Sequence, residues 1–232
     1  MAKRRKSRLQ SFGTGKIMMA AIERAVENRW DQALERAQAT TGTENERVAQ
    51  IERAFLRELI ALGATAGGTA AMPGVGTMTA IGLTASEVAW TATRTTDMIL
   101  TVAAVHGHTD AVMEERKSWV LALLAFDDDA AEGLGKTIAE LGGTVSASRA
   151  VSLDVLERAN SRIARTLIAR YGAERSALLV GKVLPFGIGA VVGGAANHFL
   201  VRSTIRRSDR FFDEIADWKR LPPPSFSDRI SD

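Results

Sequence analysis

The side chains best suited to chemistry sit in one short segment, His106, His108 and Asp110, spaced H-x-H-x-D. Imidazoles and carboxylates are residue types that can ligate a divalent ion that activates water. Completing such a set takes further histidines, and the residue after Asp110 is Ala111, with His198 the one other imidazole in the chain. The segment therefore reads first as a helix-end turn with surface histidines. A metal-dependent hydrolase using His106, His108 and Asp110 is the lesser alternative. Asp127, Asp128 and Asp129 also invite a metal, but neighbouring side chains converge poorly on one ion, and acids favour helix starts through capping and the macrodipole. Gly13, Gly15 and Lys16 match the end of a phosphate-binding loop, yet Gln10 and Ile17 stand where Gly and Ser or Thr belong, and no strand precedes them. No G-x-S-x-G elbow is present, and the chain has no cysteine, which removes thiol nucleophiles, disulfides and Cys-ligated metals together. The expectation is a protein with no catalytic constellation, no cofactor and no metal.

The elements that must position any site are helical. The 232 residues are 46% apolar and 25% charged, a globular mixture long enough to bury one substantial core. A helix is expected from Thr14 to about Ala39, with Ile22, Val26, Trp30 and Leu34 spaced by four. Gly42 ends it, and Thr43 with Glu46 forms a capping box for a helix striped by Val48, Ile51, Phe55, Leu59 and Leu62. A long helix over Thr77 to Val105 comes next, then one over Val112 to Phe126 with Trp119, Leu123 and Leu124 inward. Gly142 and Gly143 close a short segment. The next helix carries Leu153, Leu156, Ile163, Leu167 and Tyr171, with Gly172 as its stop. A final helix runs on through Phe211, Phe212, Ile215 and Trp218.

Two stretches break this pattern. Leu59 to Ser86 carries no charge over 28 residues and holds Gly63, Gly67, Pro73, Gly74 and Gly76. Val183 to Val201 is also uncharged and holds Pro185, Gly187, Gly189, Gly193 and Asn197. The last three share one helix face, where absent side chains admit another helix almost to backbone contact. Each stretch reads as a glycine-rich helical hairpin, packed in or against the core or set to touch lipid. Their Thr, Ala, Gly and Pro content argues against a membrane span. The similar order of Pro73, Gly74, Gly76 and Pro185, Gly187, Gly189 suggests an internal repeat. The fold expectation is all-α: one helical domain over residues 14–220, a basic flexible tail over 1–13 and a proline-containing flexible tail over 221–232.

The run K-x-x-P-x-x-x-G-A-V-V-G-G-x-x-N, formed by Lys182, Pro185, Gly189 to Gly194 and Asn197 and followed by Phe211 and Phe212, resembles the EcsC family. The Pro73 to Gly76 turn and Val105 to Asp110 extend that likeness over roughly residues 45–216. The resemblance implies a bacterial protein without established activity, named for a gene beside a transporter linked to secretion. It supplies no catalytic residues.

Charge adds to this. The net charge is +3, but Lys3, Arg4, Arg5, Lys6 and Arg8 contribute +5, so the remainder sums to −2. Lys16, Glu23, Arg24 and Glu27 break up the next helix, where a signal peptide would be uninterruptedly apolar. The basic run, with Arg202, Arg206 and Arg207, suits an anionic membrane surface better than nucleic acid, whose readers carry basic patches on the folded body. The expected function is a non-enzymatic accessory protein at the membrane surface or on lipid, linked to a transporter or secretion system with a membrane transporter or other protein as partner, cytoplasmic and peripheral at the inner face. The alternative is a soluble helical interaction module with a protein partner and no lipid contact. Oligomeric state is not legible in the sequence.

Overall fold

The computed structural model describes the backbone of residues 2–70, 85–178 and 193–220, and side chains over 15–58, 88–170 and 198–220. Among the described residues there is no strand, and the all-α expectation holds. The elements are α1 (Ala2–Asn28), α2 (Trp30–Gln38), α3 (Glu44–Ala70), α4 (Ala85–Val105), α5 (Met113–Phe126), a 3-10 turn (Asp127–Asp129), α6 (Ala130–Glu140), α7 (Leu153–Leu178) and α8 (Gly193–Glu214).

Two helices form the middle of the packing. Every residue of α4 from Thr95 to Val105 is buried, because α1, α2, α3, α5 and α8 all pack on it. This helix is buried all round rather than along one face, and two of its buried threonines return their hydroxyls to their own backbone, Thr96 to Ala92 at 2.8 Å and Thr101 to Asp97 at 2.7 Å. In α5 the run Ser118 to Ala125 is buried likewise, against α1, α6 and α7.

Boundaries differ from expectation where tertiary contacts override local pattern. The first helix begins at Ala2 rather than Thr14 and breaks at Arg29, so that α2 can turn its small Ala33 and Ala37 onto α4. Trp30, just past the break, lies under the Arg116 guanidinium at 4.8 Å. Gly172 does not stop α7, which continues to Leu178. The Thr43 capping box is present: the Glu46 carboxylate accepts from the Thr43 N–H at 2.8 Å, and the Glu46 N–H donates to Thr43 Oγ1 at 3.4 Å. Gly42 before it has φ +102°.

Specific contacts fix the helix directions. α3 is antiparallel to α4, with Glu44 beside His106 and Glu58 beside Arg94. α8 runs antiparallel to α3, with Asp213 sharing the His106 ring with Glu44 and Arg202 facing Glu52. α7 runs along α5, with Asn160 bonded to Ser118 and Arg170 to the Ala125 carbonyl. α1 runs against both, since its Val26 carbonyl accepts from Arg116 and its Gly15 touches Ile168. One end of the bundle thus gathers the C-terminal ends of α4 and α8 and the N-terminal ends of α3, α5 and α7. The opposite end gathers the first turns of α1, α4 and α8 and the last turns of α3 and α7.

Candidate functional site

The histidine end is built on a helix stop. Gly107, with φ +76°, follows the last turn of α4, and the His108 N–H reaches back to the Ala103 carbonyl at 3.0 Å while the Gly107 N–H bonds that of Ala104 at 3.2 Å. This paired closure needs a left-handed residue, which glycine supplies without strain. The consequence is that His106 and His108 do different things. His106 Nε2 lies 2.9 Å from Asp209 Oδ1, while its Nδ1 lies 3.4 Å from Glu44 and 3.7 Å from Asp213. His108 is buried between Trp119 and Phe212, ring centroids 5.1 and 5.2 Å away.

Asp110 is exposed, as is His198. His106, His108 and Asp110 are therefore not brought together. Among the described residues the metal-ligating side chains that converge are Glu44, His106 and Asp213. Sequence spacing holds no hint of this set, since its members come from α3, the end of α4 and the end of α8.

Burial lowers the His108 pKa to about 3, helped by the positive charge of Arg220 and by His106. Its Nδ1 has no partner among the described residues, and the ring borders a cavity of about 40 Å³ that Leu156, Ile215, Trp218 and Arg220 also line. That volume admits a few waters, not an organic substrate.

Set against known proteins, the chain matches no family model, no curated protein and no solved structure. Its own residues therefore carry the functional reading.

In the acidic triplet, Asp127 and Asp128 are engaged by arginines and Asp129 caps no helix. Asp127 accepts from Arg170 at 3.0 Å and from Arg207 at 3.1 Å, and Asp128 pairs with Arg207 at 3.3 Å and Arg210 at 3.7 Å. Asp129, at the cap position of α6, makes no capping bond. Asp127 holds φ +52° to reach both arginines, a conformation that costs a non-glycine residue roughly 1–3 kcal/mol. Arg207 is thus occupied within the protein. Arg202 stands 3.8 Å from Glu52, and Arg206 is exposed with no ion pair among the described residues.

Lys3, Arg4, Arg5, Lys6 and Arg8 lie in the first turns of α1. Gly63 and Gly67 fall in α3, and Gly193 and Asn197 open α8, but their side-chain surroundings and all of Pro73, Gly74, Gly76, Pro185, Gly187 and Gly189 lie outside the described residues. The two hairpins lie outside them likewise.

One polar assembly escapes sequence reasoning. Asp97 on α4 is fully buried and accepts from Arg36 of α2 at 2.8 Å and Arg94 of α4 at 3.0 Å. Glu58 of α3 pairs with Arg94 and, at 3.4 Å, with Arg36, and both guanidinium groups lie over the Phe55 ring at 4.8 and 5.0 Å. The signal available is Arg94 and Asp97 three apart at the head of an uncharged, mostly apolar run. A charge inside a core helix requires a partner.

Proposed function

We infer that this chain is a non-enzymatic accessory protein that binds an anionic membrane surface through the end opposite His106 and His108. The observation that carries the reading is topological. The helix directions collect at one end the basic first turns of α1 and the helix ends that lead into and out of both glycine-rich stretches. Phe199 and Trp90, 58% and 41% exposed, stand within six residues of the starts of α8 and α4 at that end. Aromatic rings of this kind favour the headgroup level of a bilayer. Five cations near such a surface contribute about 1 kcal/mol each, and an apolar contact is the second signal that stable attachment needs. No described helix is long and apolar enough to cross a membrane.

Flotation with vesicles of phosphatidylcholine alone or with phosphatidylserine tests this. The whole chain is expected to float with anionic vesicles and to lose most binding when Lys3, Arg4, Arg5, Lys6 and Arg8 are changed to Gln. Phe199→Ala with Trp90→Ala should reduce the salt-resistant remainder. A protein that stays in the soluble fraction with every vesicle, at low salt as well as physiological salt, overturns the reading in favour of the interaction module.

A further inference from the structure

His106 lies where three segments distant in the chain meet: the end of α4, the first residue of α3 and the last turns of α8. Its side chain is 5% exposed. In the neutral form that binds a metal, an imidazole has one N–H, and the 2.9 Å approach of Asp209 places it on Nε2. Nδ1 is then a lone pair facing the Glu44 and Asp213 carboxylates at 3.4 and 3.7 Å. Nδ1 and the two carboxylates converge on one point, an arrangement of lone pairs that suits a cation. No lysine or arginine among the described residues pairs with Glu44, Asp209 or Asp213.

We propose that His106 Nδ1 and the carboxylates of Glu44 and Asp213 bind a divalent first-row cation of the zinc type, with Asp209 holding the imidazole from behind. The three ligand atoms lie within 4.8 Å of one another. Ligands about 2.1 Å from a tetrahedral ion stand about 3.4 Å apart, so closing on the ion takes only small rotations of two carboxylates. Both have room to rotate, their side chains being 50% and 66% exposed. Asp209 reproduces the outer carboxylate that fixes the tautomer of metal-binding histidines and raises their basicity. Three protein ligands leave a coordination position for water. One imidazole with two carboxylates favours Zn2+ over Mg2+, which prefers oxygen alone. The ion ties α3, α4 and α8 together and uses neither His108 nor Asp110. This site is independent of the membrane reading.

The test is calorimetric titration of the whole chain, stripped with chelator and dialysed, with Zn2+ and separately with Mg2+. One Zn2+ per chain is expected, with Mg2+ at least tenfold weaker. Combining Glu44→Gln with Asp213→Asn, both at exposed positions, should weaken Zn2+ at least a hundredfold while the helical circular dichroism is retained. Asp209→Asn should weaken it ten- to a hundredfold. Asp110→Asn should leave it unchanged. Zn2+ should raise the Tm of the wild type and not that of the double variant. Absence of stoichiometric Zn2+ binding overturns the proposal, as does unchanged affinity in the double variant or a matching loss in Asp110→Asn.

Discussion

Two clusters in this molecule are made of the same chemistry, aspartate held by two arginines, yet they stand in opposite surroundings. Asp97 is fully buried, and its arginines come from α2 and α4 over an aromatic floor. Asp127 is a quarter exposed, and its arginines come from α7 and α8 over a turn. Water reaches the Asp127 carboxylate directly but not that of Asp97, although Arg36 and Glu58 beside Asp97 are partly exposed. An acid removed from the Asp97 cluster leaves two guanidinium groups sharing the half-exposed Glu58 alone, whereas one removed from the turn leaves groups that water can solvate. Identical pairs thus differ in energetic weight according to what surrounds them.

Four substitutions or conditions test that contrast. Asp97→Asn, nearly isosteric, should destabilise the fold by about 3–5 kcal/mol in urea unfolding; a loss below about 1 kcal/mol would show that the buried cluster is worth no more than a surface pair. Acid should act through His108, another buried ionisable group. Its folded pKa lies near 3 and its unfolded value at 6.5, so between those limits the unfolded chain binds the extra proton and stability falls as pH falls. The slope approaches ~1.4 kcal/mol per pH unit in that window, and His108→Phe should flatten it. Gly107→Ala should cost about 1–2 kcal/mol from backbone conformation alone, since nothing lies within 4 Å of an added Cβ. Asp127→Asn should cost at most about 1 kcal/mol, a loss that shrinks further in 1 M salt, where exposed pairs are screened within ~3 Å.

Much of the helical order is legible in the sequence, and the reason is local. The Thr43 and Glu46 capping box, the left-handed Gly42, Gly107 and Gly142, and the inward Trp119, Leu123 and Leu124 are all specified by neighbours in sequence. The illegible part is set by packing. A break at Arg29 leaves no trace in a stripe that continues through Trp30, and Gly172 is tolerated because α7 goes on within the bundle. The site is half legible. The H-x-H-x-D spacing points to His106 and His108 but not to their separate surroundings, because the helix closure at Gly107 sends the two rings to different neighbours. Glu44, Asp209 and Asp213 carry no mutual spacing to detect. Each reads as an ordinary helix-surface acid until α3, α4 and α8 are laid side by side.

The placement of α8 also governs how the domain can be made. It packs on α3 and α4, and its Phe211, Phe212 and Ile215 complete the core there. During synthesis α3 emerges roughly 140 residues before α8 is finished, an interval on the order of ten seconds at ~5–20 residues per second. For that time the faces of α3 and α4 that await α8 have nothing to bury against, and the Glu44 and His106 side chains lack their partners from α8. Among the described helices the one made last closes this core, so the nascent domain is at its most aggregation-prone just before its synthesis reaches Phe211.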